Sequence, residues 1–232
     1  MPLPIQIVLV PQGAEYQAVC RGLRKVSDPP IVLPVPVGPI PIGNHLKTLQ
    51  ENGNFSNQPN ILMMGLCGSL TSPHSIASLV LYQGCINDPS TPHPTPHTPH
   101  PLPTNRPLTT HIQQKLGKQV TLVRALTSDR VIWSAAEKRS LATAADVVDM
   151  EGYPTLEFLS QIGIAVAMLR VVSDDSQHDL PDLTWAFSSE GALLPGRMAI
   201  GMLRQPIGAV RLIQGSLRGL NVLQRVTTTL FS

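Results

Sequence analysis

Charge is scarce in this chain. Asp, Glu, Lys and Arg make up 14% of its 232 residues, against about a quarter in an ordinary soluble domain. The two signs nearly cancel, to a formal net charge of +2, so the basic field that holds nucleic acid is missing and no nucleic-acid partner is expected. Cysteine is confined to Cys20, Cys67 and Cys85, an odd number, widely spaced and without a CxxC pair. That excludes a disulfide framework and suits reduced thiols in a cytoplasmic protein. No apolar run approaches the roughly twenty residues that cross a bilayer. The apolar start lacks a basic n-region and is stopped at Pro11-Gln12-Gly13, so it reads as a first strand and not a leader.

Apolar residues, at 42%, and proline, with 23 copies, are plentiful. The length suits one α/β domain spanning residues 1–232, with a sheet covered on both faces. Ile5–Val10 is a β-branched run of the doubly buried kind, and Glu15–Val26 has helical spacing. Prolines 34, 36, 39 and 41 predict an extended or edge-like segment from Ile31 to Ile42. Ile61–Met64 is a buried strand running into a glycine-rich loop, Gly65-Leu66-Cys67-Gly68-Ser69, and Ser78–Tyr82 is a further strand. Residues 88–107 (DPSTPHPTPHTPHPLPTNRP) form a low-complexity insertion. Its His93, His97 and His100 could ligate a metal, but a proline-rich spacer splays side chains and no carboxylate or cysteine completes a set, so no metal site is expected. A helix over Thr109–Leu116, a strand over Val120–Leu126 and a helix opened by the capping-box spacing Ser134-Ala135-Ala136-Glu137 and ending near Ala144 follow. Strands at Val147–Met150 and Ile164–Val172 flank a helix beginning at Glu151. Alternation of strand and helix predicts three α/β/α layers around a mixed, mostly parallel twisted sheet.

The richest feature is a pair of apolar runs ending in carboxylates: Val147-Val148-Asp149-Met150-Glu151-Gly152 and Leu169-Arg170-Val171-Val172-Ser173-Asp174-Asp175. In open α/β folds the space beyond the carboxyl ends of the strands is where ligands bind. Two acids delivered there can protonate a leaving group and hold a polyhydroxylated substrate. Gly13-Ala14-Glu15, Gly65–Ser69 and Thr127-Ser128-Asp129 end other strands of the same set.

With these pieces together, across most of residues 5–182, the chain resembles the nucleoside phosphorylase superfamily, which includes the methylthioadenosine/S-adenosylhomocysteine nucleosidases. The resemblance rests on the Gly-x-x-Gly segment, Thr127-Ser128-Asp129-Arg130-Val131-Ile132, Val148-Asp149-Met150-Glu151 and Arg170-Val171-Val172-Ser173-Asp174. It implies N-glycosidic bond cleavage of a purine nucleoside without metal or organic cofactor, by a homo-oligomer. Asp174 would protonate the purine with Ser173 orienting it, Glu151 would accept from ribose hydroxyls, and Met150 would pack on the sugar. Val131 and Ile132 would meet the base through their main chain, and Glu15 would activate water. Cys67, Gly68 and Arg170 join the expected substrate contacts, although Arg170 also suits a structural ion pair. An acid for the base and an anion near the ribose both stabilise the positive charge that develops on the sugar.

Departures from the superfamily pattern matter too. Its phosphorylases hold phosphate with arginine and serine near the glycine segment, which here reads Met63-Met64-Gly65-Leu66. A phosphate dianion would lack charge-assisted partners there, so hydrolysis is favoured, with Arg21, Arg24 or a neighbouring subunit as substitute cations for phosphorolysis. Leu66 replaces a serine common in the nucleosidases, which keeps open a protein that binds a nucleoside without cleaving it.

Beyond Asp182 the pattern changes. Arg197, Arg204, Arg211, Arg218 and Arg225 recur every seven residues on an apolar background, and 190–232 reads as a basic amphipathic helical tail, broken by Pro206, Gly208, Gly215 and Gly219 into two or three helices. Such a tail can touch an anionic membrane or simply pack its helices on the sheet. Pro195-Gly196-Arg197 and Leu203-Arg204-Gln205-Pro206 resemble hopanoid-associated members of the superfamily, a resemblance that implies an adenosylated lipid as substrate.

Overall fold

The computed structural model describes residues 5–88, 101–186 and 194–232. In chain order these form β1 (Ile7–Pro11), α1 (Ala14–Leu23), β2 (Ile31–Val35), α2 (Pro39–Glu51), β3 (Ile61–Ser69), β4 (Leu79–Asn87), β5 (Leu102–Pro103) and α3 (Arg106–Leu116). Then come β6 (Val120–Thr127), α4 (Ala135–Leu141), β7 (Val147–Asp149), α5 (Gly152–Gln161), β8 (Val166–Asp174), α6 (Pro195–Arg204) and α7 (Pro206–Phe231).

The sheet is mixed. Pairs β1–β2, β1–β3, β3–β8, β4–β6 and β6–β7 are parallel, while β3–β7, β4–β5 and β4–β8 are antiparallel. Strands β3, β8, β4, β6 and β7 pair in a closed circuit, with β1 and β2 continuing outward from β3. Period-two alternation sends Ile7, Leu9, Ile61 and Met63 to one face, against Ile42 and Leu46 of α2 and Leu156 and Leu159 of α5. It sends Val8, Val10, Leu62 and Met64 to the other, against α1, α3 and α7. Three layers result, as the strand–helix alternation predicts.

Several local expectations are revised. The proline-bearing stretch 31–42 is extended only to Val35. Pro34 is tolerated because β2 is an edge strand paired to β1 alone, and Pro39 opens α2, where a missing N–H costs no helical bond. Gly65–Ser69 is not a loop but the last part of β3, with a break in its register to β8 between Cys67 and Gly68. The capping box at Ser134 does not form. Asp179 Oδ1 instead accepts from the Ala135 N–H at 2.7 Å, and α4 stops at Leu141. Of the insertion 88–107, residues 102–103 pair with β4, and Asn105 caps α3 by accepting from the Leu108 N–H at 3.0 Å. His93, His97 and His100 lie outside the described residues.

The tail falls into two helices, within the expected two or three, but with fewer breaks than expected. Pro206 ends α6 and starts α7, but Gly208, Gly215 and Gly219 sit inside one helix of 26 residues. At Gly215 a Cβ would run into the carbonyl oxygen of Ser173, so this glycine serves the close approach of α7 to the end of β8 instead of breaking the helix. One side of α7 is core, through Leu223, Val226 and Leu230. The opposite side leaves apolar groups in water, with Leu203 of α6 80% and Ile207 70% exposed, beside Val210, Ile213 and Leu217.

Candidate active site

The carboxyl ends of β1, β3, β7 and β8 and the start of α1 converge on one cavity of about 260 Å³. Its lining includes Glu15, Cys67, Gly68, Val131, Ile132, Met150, Glu151, Ser173 and Asp174, so nine of the ten expected site residues line the same cavity. The tenth, Arg170, is completely buried and does not line the cavity; it is an ion-pair partner behind the acids, not a substrate contact. A larger open recess of about 1280 Å³ near Ile5, His111 and Phe231 lies away from all of these residues.

Glu151 caps α5, immediately after β7 delivers Asp149. Arg170 Nη2 lies 3.2 Å from Asp149 Oδ2 and 3.4 Å from Glu151 Oε2. Asp149 also accepts from the Tyr82 hydroxyl at 3.2 Å, the Thr127 hydroxyl at 2.7 Å and the Gly152 N–H at 3.0 Å. Its lone pairs are thus taken up in holding the strand ends, which leaves Glu151 as the acid turned to the cavity. Glu151 accepts from the Gly38 N–H at 3.3 Å. Burial raises its pKa to about 8; Arg170 opposes the shift, while Asp149 and Glu15 add to it.

Glu15 occupies the first turn of α1, where the helix dipole favours an anion. Its Oε1 accepts from the Leu66 N–H at 2.6 Å. The residue is half-buried but its carboxyl is turned inward, and desolvation lifts its pKa to about 7 against the pull of the Leu66 amide and Arg170. Gly65 makes this possible, since a Cβ there would meet Glu15 Oε1 at 2.8 Å and collide with Arg170 Nη1.

Asp174 ends β8 at the other side of the cavity. Ser173 Oγ lies 2.9 Å from Asp174 Oδ2 and 3.1 Å from the Cys67 carbonyl oxygen. Gly68 leaves the carboxylate room, for a Cβ there would stand 2.9 Å from Asp174 Oδ1. Burial pushes the Cys67 thiol well up, so it is a packing group and no nucleophile. All three cysteines are free.

The sequence reading passed over two residues. Asp149 stood within its motif without a role. Lys138, between Glu137 and Arg139, belongs to none of the motifs, yet it is completely buried and ion-paired with Asp174. The signal was present: Lys138 lies three residues from both Ala135 and Leu141, on the inner face of α4.

A model described as "Phosphorylase superfamily" matches residues 53–192, about three fifths of the chain. The chain belongs to the phosphorylase superfamily. That span contains every expected site residue except Glu15. No curated protein matches in sequence. Among solved structures, the chain is similar to a 5'-methylthioadenosine/S-adenosylhomocysteine nucleosidase of Helicobacter pylori in complex with an amino-pyrrolo-pyrimidine compound, at TM-score 0.70 and 14% identity, covering 97% of this chain and 96% of that one. It is also similar to a futalosine hydrolase of H. pylori, at TM-score 0.71 and 15% identity over 98% and 97%. A Borrelia burgdorferi protein assigned as a nucleosidase of the first kind, bound to adenine, matches at TM-score 0.68 and 11% identity over 97% and 98%. At these identities the likeness is one of fold, and this superfamily fold agrees with the architecture expected from the sequence.

Proposed function

We propose that this superfamily member hydrolyses the N-glycosidic bond of a purine nucleoside or adenosyl conjugate. The observation that carries the reading is a single cavity lined at once by Glu151, Asp174 and Glu15. Its volume of about 260 Å³ lies just under the usual range of roughly 300–1,000 Å³ for small-molecule sites and suits a nucleoside. The Glu151 carboxylate holds the ribose hydroxyls, Asp174 gives a proton to the departing base, and Glu15 takes one from the attacking water. Met150 packs on the sugar, and Val131 and Ile132 present main-chain groups to the base. Solved relatives by fold bound to adenine and to an amino-pyrrolo-pyrimidine compound support this ligand class.

Water is favoured over phosphate as the nucleophile. Among the described residues lining the cavity Arg130 is the one cation, and its guanidinium is engaged by both carboxylate oxygens of Glu137. Arg170 is buried among acids, which repel a phosphate dianion. Adenine release from a panel of adenosine derivatives, assayed with and without inorganic phosphate, tests this. Free ribose-type product at an unchanged rate in both conditions is expected. A strict phosphate requirement with a ribose 1-phosphate product would overturn hydrolysis.

The exposed apolar side of α6 and α7 favours a further role in peripheral contact with an anionic lipid surface. Residues 194–232 hold five arginines and no Asp or Glu. That charge repels a second copy of the same face and complements acidic headgroups. Co-sedimentation with phosphatidylserine vesicles, lost on raising salt and in Leu203→Glu/Ile207→Glu, is expected. Equal recovery with neutral vesicles would contradict it.

A further inference from the structure

The base side of the cavity holds a charge pair of which the hydrolytic scheme uses only one member, Asp174. Lys138 is completely buried, and its ammonium group contacts Asp174 Oδ1 and donates to the carbonyl oxygen of Asp175 at 2.8 Å. The Asp174 side chain is 13% exposed and lines the cavity, and its second oxygen faces the Ser173 hydroxyl at 2.9 Å. A carboxylate held in an ion pair has no proton of its own to give. The nearest available proton sits on Lys138 Nζ.

We propose that Lys138 is the positioning residue that stores the proton for base departure and passes it through Asp174, a role that rests on the nucleosidase reading above. As the C–N bond breaks, its electron pair stays with the base. A proton moves from Lys138 Nζ to the Asp174 carboxylate, and from that carboxyl to a ring nitrogen of the leaving base. Water adds its oxygen to the sugar carbon and gives its proton to Glu15. The base leaves neutral, Asp174 is again a carboxylate, and Lys138 is a neutral amine. Release of the Glu15 proton to solvent and uptake of one by Lys138 restore the starting state, so the net change is addition of water across the bond. Lysine suits this task because it can give up its proton inside a protein, whereas arginine cannot. A purely architectural tie between α4 and β8 would need only the charge.

The test compares turnover of adenosine with that of a p-nitrophenyl riboside, whose phenolate leaves without protonation. The ratio of the two rates cancels any change in the fraction of folded enzyme. In Lys138→Met the ratio is expected to fall about 100-fold, with KM for adenosine unchanged. Lys138→Arg, which keeps the charge but not a releasable proton, is expected to fall similarly. Parallel loss of both activities in either variant would show that Lys138 serves the fold, and would overturn the assignment. So would Lys138→Arg with full adenosine turnover, which would make the charge alone sufficient. Wild-type protein that releases no base from any purine nucleoside would instead remove the nucleosidase reading, an outcome visible before any variant is made.

Discussion

Asp174→Asn is expected to lower adenine release by about 10²–10⁴-fold, the usual worth of a positioned acid, with little change in KM. The geometry explains both halves. Asparagine has nearly the same shape beside Gly68 and Ser173, so the cavity wall survives, but its amide cannot relay a proton to the base. The substitution also reaches the fold, because it leaves the buried Lys138 ammonium without its counter-charge. Breaking a buried pair costs about 3–5 kcal/mol. The amide oxygen and the Asp175 carbonyl, which already accepts from Lys138, offset part of that. A folded variant with a lowered Tm and nearly absent turnover is the expected result, read by thermal denaturation alongside the product assay. Normal turnover would take Asp174 out of the chemistry.

Glu15→Gln should cut turnover by a comparable factor of about 10²–10⁴ and yet make the protein more stable at alkaline pH. Burial raises Glu15 to about 7 and Glu151 to about 8, from 4.5 for both. Water activation needs Glu15 ionised, and the ribose contact needs an anionic Glu151, so activity should rise with pH through about 7 to 8. Stability runs the other way. For acids whose folded pKa is raised, the contribution to stability is complete below about 4.5 and is lost as pH rises through the folded values. The Glu15 shift corresponds to roughly 3 kcal/mol if taken whole, and about 2 kcal/mol is a fairer figure for a half-buried residue. Glu15→Gln should therefore match wild type in Tm near pH 4 and exceed it near pH 8. Equal Tm at both pH values would mean that the carboxyl is not desolvated as the structure has it.

These opposed trends show what the sequence could and could not convey. Strand ends carrying Glu151 and Asp174 were legible because doubly buried β-strands write themselves as short apolar runs, and a carboxylate at the end of such a run has few places to go but the ligand crevice. The order of strand and helix was legible for the same reason. Pairing geometry was not: nothing local distinguishes the antiparallel β3–β7 and β4–β8 contacts, and these close the strand circuit that encloses Arg170. A residue within an apolar run could as well have faced the substrate. Helix α2 was hidden because prolines 39 and 41 read as breakers until their place in the first turn is known. Gly215 misled in the opposite direction, since a glycine required by contact with Ser173 looks identical in sequence to one that ends a helix. Lys138 was concealed by its charged neighbours Glu137 and Arg139, and only helical phase set it apart.

The most direct measurement is a crystal structure of Asp174→Asn with an uncleaved adenosine derivative bound. The expected complex has the ribose hydroxyls within hydrogen-bond reach of Glu151, the sugar against Met150 and the purine ring edge at the position of Asp174, with Leu66 and Glu15 over the anomeric carbon. A nucleoside seated in that cavity the other way round, or found only in another recess of the molecule, would contradict the division of labour between the two acids.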